Sequence, residues 1–232
     1  MKTVVIHQPD FVPYLGFFHR LLYADLYVVL DHVQFVNGST RAWTHRDKIK
    51  TPHGERWLSI SVRKAPRDTA IKEITLSTDI DWREGNLRLL EANYAQSACF
   101  QEIMPEVKAL YARQCMSLSE FTLSSIEMLM DMLDVKVPMV LSSELDPRGT
   151  KNEMLVDLLG KVGATHYLSG VGARAYLDPV PFQSAGIEVT WQDFHHPVYP
   201  QLYGNFVPNL STLDMLFNCG IQRSRELLRG SK

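Results

Sequence analysis

Residues 3–31 read TVVIHQPDFVPYLGFFHRLLYADLYVVLD and contain a strand–helix–strand pattern. The short apolar runs at 4–6 and 26–30 predict two buried strands, and the segment 15–24 between them has the spacing of a helix. A helical connection of this kind returns the chain to the same end of the sheet. The pattern therefore predicts two parallel strands.

The same alternation continues along the chain. Three further apolar runs, each followed by turn or polar residues, predict buried strands at 138–141, 166–168 and 187–191. Helical patterns lie at 118–133, at 150–163 and, ended by Gly220, at 212–218. Strands that alternate with helices form parallel sheets with helices on their faces. The sequence therefore predicts an α/β fold, a Rossmann-like parallel sheet of about five strands with flanking helices.

Residues 32–117 interrupt this alternation after the second strand. The segments 56–62 and 71–76 alternate apolar and polar residues with a period of two, which predicts an antiparallel strand pair. Two helical patterns follow at 82–95 and 100–115. We interpret this block as an α+β insertion within a single α/β domain that spans residues 1–232.

The composition is that of a globular chain with an uneven charge distribution. The 232 residues are 45% apolar, and 24 Lys and Arg stand against 26 Asp and Glu, for a net charge of −2. This composition excludes a disordered or disulfide-stapled chain and argues against a nucleic-acid partner. Residues 41–67, however, hold eight basic and two acidic residues, a local charge of +6. The imbalance favours a small phosphorylated ligand or a nucleotide-sugar.

The sequence also indicates a cellular environment. Three cysteines without a pairing pattern are typical of a reducing compartment. The apolar run near the amino terminus is too short for a secretory signal, and no run approaches the ~20 residues that span a bilayer. We therefore expect a soluble, cytoplasmic protein without a membrane span. The sequence leaves its oligomeric state open.

Polar and ionisable side chains follow all five predicted strands. In open parallel sheets, ligands bind outside the carboxyl ends of the strands, so these side chains predict a ligand site at that edge. Purely structural loops are the alternative. The residues that we expect at the site are His7, Gln8, Asp31, Gln34, Ser169, Gly170, Gly172, His195 and His196.

His7 and Asp31 are the candidates for catalysis. An imidazole titrates near neutrality, so His7 can act as a general acid or base, or it can stabilise phosphate charge. Its alternative role is to hydrogen-bond the backbone of the loop. Asp31 can bind a ribose hydroxyl, ligate a metal or cap the next turn, and the sequence does not choose among the three.

Two glycines follow the fourth predicted strand. Gly170 and Gly172, with Asp193 about twenty residues further on, have the form of a dinucleotide-binding fingerprint. Two prolines shortly after the turn cut the helix that such a site needs, which argues against a full NAD site. The alternatives are a turn whose N–H groups bind a phosphate or carboxylate, and a plain tight turn. The sequence identifies no cofactor and contains no typical metal-ligand spacing.

The most basic segment is RAWTHRDKIK at 41–50, which contains Arg41, Arg46 and Lys48. We interpret it as a mobile arm that closes over phosphates or a charged sugar. Arg offers bidentate contacts to such groups, and Lys offers a point charge. A solvated charged loop is the alternative interpretation.

Several motifs together resemble the WbqC-like proteins, over essentially the whole chain. The segments that carry the resemblance are HQPDFVPYLGFF at 7–18, AD at 24–25, DHVQF at 31–35, RDKI at 46–49, WL at 57–58, YLSG at 167–170, AYL at 175–177 and LSTLDML at 210–216. The resemblance implies a role in surface-polysaccharide biosynthesis, such as that of lipopolysaccharide O-antigen. It implies a pathway rather than a reaction.

These observations lead to a functional hypothesis. We expect a transferase that acts on a nucleotide-linked sugar or another activated precursor in that pathway. The alternative is a non-catalytic protein that binds a sugar precursor or a partner enzyme of the same pathway.

The hypothesis divides the site residues by role. His7 supplies acid–base chemistry or stabilises phosphate. The residues that orient the substrate are Gln8, Asp31 and Gln34. The residues that neutralise phosphate are Arg41, Arg46 and Lys48. The residues that contribute backbone contacts are Ser169, Gly170 and Gly172.

Overall fold

The computed structural model describes residues 1–38 and 42–230. Within these residues the chain forms seven strands and seven α-helices. In chain order they are β1 (Thr3–His7), α1 (Leu15–Leu21), β2 (Leu26–Val29), β3 (Arg46–Thr51), β4 (Gly54–Ser59), α2 (Trp82–Tyr94), α3 (Phe100–Ala112), α4 (Leu118–Leu133), β5 (Met139–Leu141), α5 (Lys151–Lys161), β6 (His166–Ser169), α6 (Val180–Ser184), β7 (Glu188–Trp191) and α7 (Thr212–Gly230).

Five strands form one sheet in the order β5–β2–β1–β6–β7, and every neighbouring pair in it is parallel. The prediction of an α/β, Rossmann-like fold is confirmed. The five apolar runs singled out in the sequence correspond to the five strands of this sheet. Apolar runs of this kind are typical of parallel sheets because both faces of such a sheet are covered.

The central strand β1 contributes to the core on both faces of the sheet. Val5 packs into a large cluster that includes side chains of α1, α4 and α7. Val4 and Ile6 point to the opposite face, where they pack against Leu158 of α5 and Phe182 of α6. Successive side chains of a strand alternate between its faces, so three consecutive apolar residues join two helical layers to one sheet.

The basic segment forms a β-hairpin, so the interpretation of residues 46–50 as a mobile arm is wrong. β3 pairs with β4 along its whole length. Charged residues are depleted in strands, which is why the sequence RDKIKT did not predict one. Here the charges are held by partners. Lys48 Nζ lies 2.5 Å from the Glu55 carboxylate across the hairpin, and buried Lys50 donates to the side-chain oxygen of Gln201 at 3.1 Å.

The pairing of the predicted strand at 56–62 also differs from expectation. Its residues fall largely in β4 and pair with β3, while the proposed partner contains a 3₁₀ turn at Ile71–Glu73. The two segments meet through an isolated bridge between Val62 and Leu76. β4 pairs with β3 because a short turn connects the two strands, whereas the segment at 71–76 lies further along the chain.

The carboxyl-terminal helix α7 runs past its predicted end. Gly220 has φ 74° and ψ 173°, which breaks the helix into two segments rather than ending it. The second segment is anchored on the end of α4. Leu228 is fully buried, and Arg225 and Arg229 donate to backbone carbonyls of Met132 and Asp134.

Among the helices of the described chain, none combines the length and the apolar character required to cross a lipid bilayer.

Candidate functional site

A cleft of about 530 Å³ opens at the carboxyl ends of β1 and β6. These two strands are neighbours in the sheet, and β2 lies on the other side of β1. The chain continues from β1 to β2 on one side and from β6 to β7 on the other, and open α/β sheets bind ligands where the connections diverge in this way. The polar side chains that line it include those of His7, Asp10, Tyr14, Arg20, Asp47 and Gln192.

Arg20 of α1 is a buried cation on the wall of this cleft. The residue is 6% exposed, and its Nε is enclosed without a hydrogen-bond partner. Its guanidinium makes no hydrogen bond or ion pair with any residue in 1–38 or 42–230. A buried charge without a partner is costly, by several kcal/mol in real proteins. Arg20 is thus prepared to bind an anion.

Gly170 makes room for this guanidinium. A Cβ atom at position 170 would lie 2.6 Å from Nη1 of Arg20 and 3.6 Å from its Cζ. The backbone of Gly170 is extended, with φ −72° and ψ 148°, so conformational freedom does not explain the glycine. The close approach of the guanidinium requires it.

Two buried carboxyl groups share the cleft with Arg20. Burial raises the pKa of Asp10 to about 7, against the opposing charge of Arg20. Burial also raises the pKa of Asp47 well above its ordinary range, although the Lys48 backbone N–H donates to its Oδ1 at 2.6 Å. A carboxyl group that titrates near pH 7 is suited to accept or donate a proton during a reaction.

His7 lies beside Asp10 as a neutral ring. Its Nδ1 donates to the carbonyl of Gln8 at 3.0 Å and lies 3.5 Å from Oδ2 of Asp10, so Nε2 carries the lone pair. The ring also makes an edge contact with Phe17. Burial, aided by the charge of Arg20, lowers the pKa of His7 to about 3. In this state His7 offers a hydrogen-bond acceptor rather than a positive charge.

A model of the WbqC-like protein family matches residues 8–226. The chain belongs to the WbqC-like protein family. The resemblance seen in its motifs is confirmed. The chain is also 32% identical over 224 residues to a Mycobacterium tuberculosis protein named "Uncharacterized protein Rv1507c", and the match covers 96% of each. No solved structure matches the chain.

Four of the predicted site residues line the cleft of this WbqC-like protein. They are His7, Ser169, Gly170 and Gly172. Their convergence follows from the parallel pairing of β1 with β6, which places the ends of both strands at one edge. The glycine segment forms a short 3₁₀ turn at Val171–Ala175.

Asp31 lies apart from the cleft, between the ends of β2 and β5. It is 1% exposed. Its carboxylate accepts hydrogen bonds from the Ser142 hydroxyl at 2.9 Å and from the backbone N–H and hydroxyl of Ser143 at 2.9 and 2.6 Å. With these bonds Asp31 joins two neighbouring strand ends, so of its three possible roles the turn-forming one matches its contacts.

The basic residues proposed to neutralise phosphate are placed differently. Arg46 donates to the carbonyl of Ala42, and its guanidinium lies 4.2 Å from the centre of the Trp57 ring. Lys48 is paired with Glu55. Neither side chain lines the cleft, because successive side chains of β3 alternate between its faces and Asp47, between them, is the one that faces the cleft. Arg41 lies outside the described residues.

The remaining predicted residues are held by other partners. Gln8 accepts a hydrogen bond from the Thr44 hydroxyl, and Gln34 donates to the carbonyl of Arg67.

The two histidines that follow the last sheet strand also lie outside the cleft. The side chain of His195 is 73% exposed and lies 3.7 Å from Asp193. His196 packs in an aromatic cluster with Phe194 and Phe206.

The predicted site residues include none of the three that define the charge of the site, which are Asp10, Arg20 and Asp47. Arg20 is a charged residue in a helix, LGFFHRL, whose residues are all buried, and that contrast could have identified it. Asp47 carried no comparable signal, because it stands in the most basic segment of the chain and its burial depends on the hairpin. Among the described residues, no group of three or more His, Cys, Asp or Glu side chains is arranged to hold a metal ion.

Proposed function

We propose that this WbqC-like protein is a transferase of surface-polysaccharide biosynthesis that acts on a nucleotide-linked sugar or another activated, phosphorylated precursor. The observation that carries the proposal is the buried guanidinium of Arg20 in the cleft between β1 and β6, which pairs with no residue in the described part of the chain. Family membership supports the pathway, and the cleft supports the class of ligand.

A phosphate group is the ligand that best complements this cation. Arg binds phosphate through two parallel charge-assisted hydrogen bonds, and bonds of this kind are about twice as strong as neutral ones. The aromatic rings of Tyr14 and Trp43 also line the cleft, and against a bound phosphate they would limit the access of water to its charge. Acceptor groups for sugar hydroxyls are present in Asp47 and Ser169.

The proton chemistry falls to Asp10. An acceptor hydroxyl or amine that attacks the activated precursor must lose a proton, and ionised Asp10 accepts it. The bond to the phosphorylated leaving group breaks with its electron pair, and the negative charge that develops on the leaving oxygen faces Arg20. Neutral His7 accepts a hydrogen bond from the acceptor through Nε2 and holds it near Asp10.

Calorimetric titration of nucleotide-sugars tests the binding half of this proposal. UDP-glucose, GDP-mannose and dTDP-glucose are titrated into the wild-type protein and into Arg20→Gln. Arg46→Gln serves as the matched control, since Arg46 is the cation over Trp57 and does not line the cleft. We expect binding that Arg20→Gln abolishes and Arg46→Gln preserves. Equal effects of the two substitutions would overturn the assignment of Arg20.

The substitution Asp10→Asn tests whether the protein is a transferase or a non-catalytic binding protein. Asn keeps the size and hydrogen-bonding capacity of Asp10 but cannot take up the proton. We expect Asp10→Asn to bind the same nucleotide-sugar as the wild type and to fail in restoring polysaccharide to a strain that lacks the protein. Full restoration by folded Asp10→Asn would favour the non-catalytic alternative.

A further inference from the structure

A second cavity of about 400 Å³ lies on the other side of Arg20. It is enclosed by α1 with the residues that follow it and by the ends of β6 and β7. Arg20 and Gln192 line both this cavity and the cleft, so the guanidinium stands at the junction of the two. Gln192 is fixed there by a 2.7 Å hydrogen bond from its side-chain N–H to the carbonyl of Gly16.

The second cavity has a different chemical character from the cleft. Its walls are aromatic and aliphatic, from His19, Tyr23, Leu168 and Trp191. Tyr23 is 54% exposed, and its ring centre lies 5.1 Å from that of His19. Aromatic faces of this kind bind nucleobases by stacking, whatever the identity of the base.

Charge separates the two compartments as well. Among the side chains that line the second cavity, Arg20 is the cation, and the carboxylate of Asp193 stands at the opening with 86% of its side chain exposed. A second phosphate near the opening of this cavity would face that carboxylate, whereas the N–H groups of a base or the hydroxyls of a ribose can donate to it. An anionic centre therefore belongs at Arg20, with an uncharged group on either side.

We propose that the second cavity binds the nucleoside of a nucleoside-diphosphate donor, with the diphosphate at Arg20 and the transferred group in the cleft. This inference rests on the proposed function and names the class of donor. It assigns Tyr23 as the stacking platform for the base.

Matched phosphate ligands test the nucleoside assignment. UDP and ADP are compared with inorganic pyrophosphate, which presents two phosphates without a nucleoside, in the wild type, Tyr23→Ala and Tyr23→Phe. Loss of a stacking ring costs about 5-fold to about 150-fold in affinity for a base. Because Tyr23 is half exposed, we expect Tyr23→Ala to weaken UDP and ADP by about 5-fold to 10-fold. Pyrophosphate should be unaffected, and Tyr23→Phe should bind like the wild type.

Tyr176→Ala is the counterpart on the cleft side. Tyr176 is 71% exposed and lines the cleft but not the second cavity. Its removal should leave the ratio of UDP to pyrophosphate affinity unchanged, in contrast to Tyr23→Ala.

The results distinguish this inference from the proposed function. If Arg20-dependent binding is found but UDP, ADP and pyrophosphate bind equally, the nucleoside site is overturned and the anion site stands. Equal weakening of UDP and pyrophosphate by Tyr23→Ala also overturns it, because the effect would not belong to the base. Tighter binding of a prenyl phosphate than of UDP would assign the cavity to a lipid. Absence of any Arg20-dependent binding overturns both proposals.

Discussion

Adding one methyl group at Gly170 should move the Arg20 guanidinium while leaving the fold intact. In Gly170→Ala the new Cβ atom would lie 2.6 Å from Nη1, and ordinary contacts begin at 3.4 Å, so the guanidinium must retreat by about 0.8 Å. The displaced atom is the end of a flexible side chain, which can move without disturbing the backbone. The extended backbone at Gly170 accepts alanine without strain.

The magnitude follows from the bonds that the guanidinium would make. A hydrogen bond to a charged group contributes about 1.5–3 kcal/mol. A shift of this size should remove one such bond to a bound phosphate, which lowers affinity by roughly 10-fold to 150-fold. Gly→Ala at a compatible backbone position stabilises proteins by about 0.4–1 kcal/mol, since it restricts the unfolded chain. The melting temperature should therefore stay within about 3 °C of the wild type.

The assay combines calorimetric titration of a nucleotide-sugar with thermal unfolding. Gly172→Ala is the matched control, because it adds the same methyl group to the same turn, and among the described residues no atom beyond its chain neighbours lies within 4 Å of its Cβ. We expect Gly172→Ala to bind like the wild type. Unchanged affinity in folded Gly170→Ala would refute the role of Arg20 as the phosphate contact. An equal loss in both variants would show that the turn's backbone, rather than the guanidinium, holds the ligand.

Four further outcomes follow from the same structure. Because burial raises the pKa of Asp10 to about 7 from 3.8, folded Asp10 holds a proton that the unfolded chain releases. The contribution of Asp10 to stability is therefore full below about pH 4 and is lost as the pH rises through 7. The free energy of unfolding of Asp10→Asn, measured relative to the wild type, should therefore rise by up to about 4 kcal/mol between pH 4 and pH 7 and stay constant above pH 7. Urea unfolding at a series of pH values measures it. The His7 ring should show no titration between pH 5 and 8 in nitrogen-detected NMR of the ligand-free protein, with the proton on Nδ1; a midpoint near 6.5 would contradict the lowering of its pKa by desolvation and by the charge of Arg20. Asp31→Ala should lower the free energy of unfolding by about 3 kcal/mol and leave nucleotide-sugar affinity unchanged. A loss of affinity without a loss of stability would show that Asp31 takes part in ligand binding. Gly220→Ala should lower the free energy of unfolding by about 1–3 kcal/mol, because φ 74° with ψ 173° is a region that essentially only glycine occupies; a stable variant would show that the break in α7 is not enforced there.

The sequence predicted the location of the candidate site better than it predicted the residues that line it. The rule that ligands bind outside the carboxyl ends of parallel strands led to nine residues, and four of them line the cleft: His7, Ser169, Gly170 and Gly172. The same rule also led to Asp31, which forms hydrogen bonds at the neighbouring strand ends instead. Every strand of a sheet delivers polar residues to its edge, and only the strand order tells which of them meet.

The charge of the site was harder to predict than its place. The sequence has a local charge of +6 at residues 41–67. Two of the cations proposed from this segment have partners elsewhere, however: Arg46 lies over the Trp57 ring, and Lys48 is paired with Glu55. The cation that faces the cleft comes from α1, a helix with a single arginine. A count of charges cannot show which side chain loses its solvent and its partners, and that loss is what makes a charge available to a ligand.

The sequence by itself determined the five strands, the bounds of α4, the α/β architecture and the family. These properties are local, since hydrophobic periodicity over a few residues specifies which face of each element is buried. Only the tertiary structure decided that β1 pairs with β6 and that β3 pairs with β4. Those pairings place Arg20 against Gly170 and bury Asp10 and Asp47 in the same cleft. The protonation and binding chemistry of the site depends on that burial, because a pKa and an ion pair are set by neighbours distant in sequence.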